Sequence, residues 1–399
     1  MTTRTVPKLF THDFILSFFA QFTFSSVSYL LIPTIPIYLS TFQAKGGEIG
    51  FLVGILSVCS LIPRPFVGRA LQKIPERTFM MSGAIVYIFA SIAYLLAPPF
   101  WPFLIVRIFQ GIGLAFFSTA SYTLIANITS EAHRGQIISY YSLSANFAFA
   151  IAPYFGMLFI NQFSFTFLFL SCAGLSLCTS LIAIRLKKAE GIPIRDQPEK
   201  KEPLFSLGAL PAAFMVFLLH VIWGSLNAFF PLYALKQGIS NPGFFFAILA
   251  ITLNLGRVLG GKLLDFYDRK KLVLFCHMVT IVSLIILTFS HTLMMFIGVA
   301  IILGMGLALL FPSFIVYAIE NSGSARGPAM GTLMAFNDLG IGIGPMIMGA
   351  ILQWTSYQMM FICLALTQVL NLVYFYYTIG RKGRGENHST CRPSHSKSL

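Results

Sequence analysis

Charge is what this sequence has least of. Asp, Glu, Lys and Arg make up 10% of its 399 residues, while hydrophobic residues make up 56%, and mean hydropathy is +0.79. A soluble globular domain carries about 25% charged residues, so an ordinary soluble core is excluded. Acidic residues are scarcer still, with 13 Asp and Glu against 27 Lys and Arg. Cysteine is sparse as well: Cys59, Cys172, Cys178, Cys276, Cys363 and Cys391 form no CxxC pair and show no His/Cys spacing typical of a metal site. Five of them read as small apolar packing residues and the last as a tail thiol. No His/Asp cluster, nucleophile motif or long catalytic loop is present, which argues against a membrane enzyme. No sizeable soluble extension is present either, which argues against a receptor or scaffold. No metal and no cofactor is expected.

What the sequence does have is long apolar runs. A helix needs about 20 apolar residues to cross the hydrocarbon layer, and windows of that size fall at 14–41, 47–69, 78–98, 100–127, 135–160, 163–185, 206–236, 242–265, 270–290, 292–319, 327–353 and 356–379. The first is too long for the hydrophobic region of a cleaved signal peptide. The chain therefore reads as an all-α integral membrane protein with twelve spans, and the lipid bilayer is its first partner. A net charge of +14 could suggest nucleic acid, but position excludes it. Apart from Lys45, Lys236 and the in-span Arg107, the basic residues lie at segment ends, loops and tails on one side. That bias predicts cytoplasmic termini and a cytoplasmic loop after every even-numbered span, as expected for a multi-pass cell (inner or plasma) membrane protein.

The hydrophilic stretch LKKAEGIPIRDQPEKKEP, 186–203, separates six spans from six. We read residues 1–185 as a first six-helix bundle, 186–205 as a charged cytoplasmic linker, 206–380 as a second bundle and 381–399 as a disordered basic tail. The halves repeat one plan. An offset of 192 pairs Arg134-Gly135 with Arg326-Gly327, Ala152-Pro153 with Gly344-Pro345, and Asn146 with Asp338. An offset of 193 lays GIGLAFF from 111 on GMGLALL from 304, and RPFVG from Arg64 on RVLGG from Arg257; at 195, Pro36-Ile-Tyr matches Pro231-Leu-Tyr. A tandem duplication explains so steady an offset.

Two parallel six-helix halves, together with several local motifs, resemble the major facilitator superfamily (MFS), and within it the twelve-helix drug/proton antiporter-like (arabinose-efflux-permease-like) group. The loop after the eighth span, Gly261-Lys262-Leu-Leu-Asp265-Phe-Tyr-Asp268-Arg269-Lys270-Lys271, is close to the family's G-x-L-a-D-r-x-G-r-k signature. The resemblance implies that Asp265 and its basic neighbours, with Arg257 ahead of them, latch the cytoplasmic rim. The first-half copy runs from Arg64 through Gly68, Arg69 and Gln72 to Arg77, and Gln72 stands where the Asp belongs. That latch is then weakened, taken over by Glu76, or carried by a neutral hydrogen bond. Arg107-Ile-Phe-Gln110-Gly111-Ile-Gly113 resembles the R-x-x-q-G-x-g motif, which the family links to proton coupling. The segments around Pro153 and Gly344-Pro345 resemble the antiporter motif g-x-x-x-G-P-x-x-G-G, and Leu30-Leu-Ile-Pro33-Thr-Ile-Pro36 its P-x-x-P feature. Gly111, Gly113, Pro153, Gly344 and Pro345 read as packing and hinge residues. Two similar bundles that can pack along either rim are bistable, with a substrate site between them near the midplane.

Two in-span charges remain. Arg107 stays protonated and requires an anionic or carbonyl partner, a wet cavity, or a route for snorkelling to the rim. Asp338 is the sole acidic residue deep in a span. Three roles fit it: a proton carrier, since a desolvated carboxylate can take up and release a proton; a packing group bonded to Asn337 or Asn146; or a counter-charge for a cationic substrate. Gln21, Tyr29, Asn146, His220, Trp223, Asn227 and Asn337 are candidates to line the cavity. The resulting expectation is a monomeric secondary transporter that moves a small organic solute (a drug, metabolite or metallophore-like molecule) against protons, most simply as an exporter. A proton-coupled importer of a small metabolite is the alternative.

Overall fold

The computed structural model describes residues 11–97, 100–129, 134–186, 206–266, 268–322 and 326–380, with the backbone alone at 134–136, 261–266, 326 and 379–380. The expected linker and tail, 187–205 and 381–399, lie outside them. Thirteen helices follow one another: α1 His12–Thr41, α2 Gly46–Leu61, α3 Pro63–Ala70, α4 Glu76–Leu96, α5 Trp101–Ile128, α6 Arg134–Gln162, α7 Phe165–Arg185, α8 Leu210–Lys236, α9 Gly243–Phe266, α10 Arg269–Thr288, α11 Leu293–Asn321, α12 Arg326–Trp354 and α13 Tyr357–Phe375. They make twelve membrane-length spans, because α2 and α3 together form the second. The sequence windows overlap every one of these spans. The break inside the second is new: the residue before Pro63 is Ile62, and the proline ring lacks the N–H that would carry the helix through.

The duplication is visible in backbone detail. After α1 the chain turns through Gln43 at φ 59°, and after α8 through Gly238 at φ 81°. Ala44 N–H closes on the Leu39 carbonyl just as Ile239 N–H closes on that of Ala234. Tyr38 Oη donates to the Tyr94 carbonyl at 3.4 Å, and Tyr233 Oη to that of Ser290 at 2.7 Å, so the matched Pro-x-Tyr residues anchor the end of the third span in each half. Ser164 and Ser356, 192 apart, cap α7 and α13 by accepting from the N–H three residues on.

Within the first half α1 packs on α6 and α7, and α4 on α5 and α7; within the second, α8 packs on α12 and α13, and α11 on α9 and α10. The halves meet along two seams, α2 with α12 and α6 with α9, and α1 also touches α8. We term the end where α1 begins and α13 finishes the terminal end, and the other the hairpin end. At the hairpin end both seams close on the same device. A β-carbon at Gly50 of α2 would lie 2.0 Å from the Pro345 carbonyl oxygen, and one at Gly243 of α9 would lie 2.6 Å from that of Pro153. These pairs are repeat-equivalent. Only a residue without a side chain permits so close an approach of two backbones.

Following α2 and α3 towards the terminal end shows the seam opening. Gly46 lies against Gly349, Gly50 against Pro345 and Gly54 against Gly342, whereas a β-carbon at Gly68 or Gly331 would meet nothing within 4 Å. The two helices are zipped at the hairpin end and splayed at the terminal end.

Candidate functional site

Where the zipped part of the α2–α12 seam gives way to the splayed part, two charges meet. Arg64, in the first turn of α3, places Nη1 2.8 Å from Asp338 Oδ2, in the middle of α12. The aspartate is 6% exposed, and the arginine side chain 28%. Asn337 Nδ2 donates to the other carboxylate oxygen at 3.1 Å. The approach to Oδ2 is an ion-pair contact without hydrogen-bond geometry, so Oδ2 has no hydrogen-bond partner. The carboxylate is thus buried, paired across the two halves and loosely held. Of the ion pairs among the described residues, this is the one that joins the halves.

Sequence reasoning placed Arg64 in the rim latch; the structure places it on Asp338. The other described latch residues find partners within their own half or none across the seam. Arg77 Nη1 donates to the Leu186 carbonyl at 3.3 Å, Glu76 accepts from Asn127 at 2.7 Å, and Arg269 pairs with Glu320 at 2.8 Å. Gly68, Arg69 and Gln72 are exposed, and Lys270 is half-buried with its N–H on Asp268. Gly261, Lys262 and Asp265 belong to the backbone-only stretch, so the expected Asp265 relay lies outside the described side chains.

Arg107 finds carbonyls. Its Nε donates to Leu52 O at 2.8 Å, Nη2 to Val53 O at 3.0 Å and Nη1 to Gln110 Oε1 at 3.0 Å, while Tyr94 Oη also donates to Gln110. All these groups belong to the first half, and the arginine is buried, so the guanidinium fork clamps α5 to α2. Gly111 brings the same two helices together, since its β-carbon would lie 2.4 Å from Leu56 O. Lysine cannot span three acceptors at these angles. Arg107→Lys is therefore expected to cost about 1–3 kcal/mol, read as a lower melting temperature of the purified protein, with its pH response intact. A pH response that disappears while the melting temperature holds would return Arg107 to a coupling role.

The expected cavity residues divide. Tyr29, Asn146, His220, Trp223 and Asn337 are partly accessible. Tyr29 of α1 meets Phe149 of α6 edge-on at 5.1 Å, and Phe149 meets Trp223 of α8 at 5.2 Å, giving an aromatic wall that crosses from one half to the other. His220 bonds the Val216 carbonyl through Nδ1 at 2.8 Å and stands edge-on to Phe311. Asn227 bonds back to the Trp223 carbonyl at 2.9 Å. Gln21 is a buried knot of the first half: it donates to Ser25 at 2.8 Å and accepts from Ser121 at 3.2 Å and Tyr141 at 3.1 Å, which leaves it little to offer a solute. Gly344 packs on Val221, and Gly113 on Val86 and Tyr87.

The sequence carries signals for both seams. The Gly46, Gly50 and Gly54 spacing of four marks a close-packing face. The duplication also places Arg64 and Arg257 at one repeat position and Asn146 and Asp338 at another. In this fold Arg64 meets Asp338 in one seam, and the helices that carry Arg257 and Asn146, α9 and α6, pack on each other in the other.

Comparison with known proteins agrees with this architecture. The chain is 24% identical over 375 residues to the staphylopine export protein of Staphylococcus aureus, covering 88% of this chain and 92% of that protein. It is 22% identical over 332 residues to the quinolone resistance protein NorA of the same organism, covering 81% and 85%. Among solved structures it superposes on the nucleoside transporter NupG with a TM-score of 0.75 at 15% identity, over 92% of this chain and 99% of that one. The sequence profile of the Major Facilitator Superfamily matches residues 17–265 and 212–396. With twelve spans and two duplicated halves that pack along paired seams, the chain belongs to the Major Facilitator Superfamily and is a multi-pass membrane transporter, not an enzyme.

Proposed function

We propose that this protein is a proton-coupled secondary transporter that exports a small organic solute across the cell membrane by alternating access, acting as a monomer with both termini in the cytoplasm. The observation that carries the reading is the Arg64–Asp338 pair at the point where the seam opens. A buried ion pair adds little net stability compared with apolar packing, so stability alone is a poor reason for one there. As a switch it is effective: protonating Asp338 removes the attraction between the halves, and losing the proton restores it. In this reading the units that move are residues 1–185 and 206–380, and with the termini cytoplasmic the zipped hairpin end and splayed terminal end support a state open to the cytoplasm.

Export is supported by the relatives' names, staphylopine export and quinolone resistance. A bacterial membrane containing the protein, prepared as inside-out vesicles and energised to an acid interior, is expected to accumulate a quinolone and to lose it when an uncoupler collapses the gradient. Accumulation indifferent to the gradient sinks the proton coupling. Gradient-driven movement in the opposite sense sinks export.

A further inference from the structure

The second seam holds the counterpart of the Arg64–Asp338 pair with its acid missing. Arg257 of α9 is the repeat equivalent of Arg64, and Asn146 of α6 that of Asp338; α6 packs on α9. Arg257 takes part in none of the ion pairs among the described residues, and its buried Nε has no hydrogen-bond partner. Asp265 lies eight residues along the same helix, about 12 Å at 1.5 Å per residue. A guanidinium stays charged, and leaving it half-buried without an anion is costly. Arg257 lies near Tyr29 of α1, in the other half, and Tyr29 lies near Tyr122 of α5. Beside Tyr29 stands the Phe149–Trp223 aromatic wall.

We infer that Arg257 is the substrate-binding cation of this transporter: the solute carries an oxyanion, a carboxylate in the simplest case, which docks on Arg257 with its apolar body along Tyr29, Phe149 and Trp223. This rests on the transport reading above and deepens it by naming the class of solute. Arg64 cannot serve while Asp338 neutralises it. Arg257 has no such competitor among the described residues, and a forked donor suits a carboxylate.

The test uses the full chain, purified, with Trp101→Phe and Trp354→Phe so that Trp223 is the one remaining tryptophan. Naphthoate and its uncharged analogue naphthamide are titrated against Trp223 fluorescence. Naphthoate is expected to bind saturably and at least about tenfold more tightly than the amide. Arg257→Gln is expected to erase that preference, and Arg257→Lys, which keeps the charge, to retain part of it; the lysine variant decides the matter if the glutamine variant does not fold. Equal binding of acid and amide, or a preference that survives Arg257→Gln, overturns the assignment. A third arm adds vesicles of anionic or of zwitterionic phospholipid. Arg257-dependent stabilisation by the anionic lipid, with naphthoate inert, makes the occupant a lipid headgroup and also overturns it. Naphthoate binding is read on purified protein with no pH gradient and proton coupling in the energised vesicles, so a failure of proton coupling and a failure of anion binding are told apart.

Discussion

Replacing Asp338 by asparagine is expected to leave the protein in one conformational balance at every pH. Spin labels at the exposed Gln72 and Lys271 report the separation of the halves at the terminal end. In the unmodified protein that distance should change with pH as the Arg64–Asp338 attraction is switched on and off. An asparagine side chain has the shape of a protonated aspartic acid but no proton to release, so Asp338→Asn should show the low-pH distance distribution throughout. Removing one partner of a fully buried pair costs about 3–5 kcal/mol. With Arg64 28% exposed to screening water, we expect about 1–3 kcal/mol of coupling between the two side chains in a double-mutant cycle. That is enough to shift a two-state balance by about 5- to 150-fold. Exchanging the charges, Arg64→Asp with Asp338→Arg, should restore part of the response, because the attraction does not depend on which helix carries which sign. A wild-type pH response in Asp338→Asn would remove Asp338 from the mechanism.

The second large effect is expected from a single methyl group. Gly50→Ala puts a β-carbon 2.0 Å from the Pro345 carbonyl oxygen, where backbone stands on both sides and no flexible side chain can yield. On helix propensity alone the change should stabilise α2 by about 1 kcal/mol, so any loss must come from the seam. The hairpin end should no longer close: labels at Thr41 and Lys236 should move apart, and transport should fall to the background of empty vesicles. Gly243→Ala should do the same at the equivalent seam, where Tyr154 Cα would lie 2.5 Å from the new carbon. Gly174→Ala meets nothing within 4 Å and serves as the control. Normal hairpin-end distances in Gly50→Ala would show that the seam can reopen its spacing without cost.

Much of this architecture was legible before any coordinates. Twelve spans follow from hydrophobic length, because a bilayer leaves a polar backbone no alternative to a helix. The division into halves follows from the offset between Pro36-Ile-Tyr38 and Pro231-Leu-Tyr233, and the family from the motifs around Arg107, Gly261 and Pro345. The cost of a carboxylate in hydrocarbon singled out Asp338. These are properties of composition and of order along the chain, and they survive without knowing what touches what.

Partnership was decided only in three dimensions. Asn337 does bond Asp338, but the charge partner of Asp338 is Arg64, 274 positions away and by motif a residue of the rim latch. Arg107 requires an anion, a carbonyl, a wet cavity or the rim, and the carbonyls of Leu52 and Val53 with the Gln110 side chain are what hold it. Gln21 is a cavity candidate by sequence and is instead engaged within the first half by Ser25, Ser121 and Tyr141. In each case the deciding contact is short-ranged, a hydrogen bond or ion pair near 3 Å, between residues whose separation along the chain says nothing of their distance in space. The sequence alone determined that the protein is a duplicated twelve-helix transporter with one deep acid. Which arginine that acid meets, and which arginine is left without one, was settled by how the two copies pack against each other.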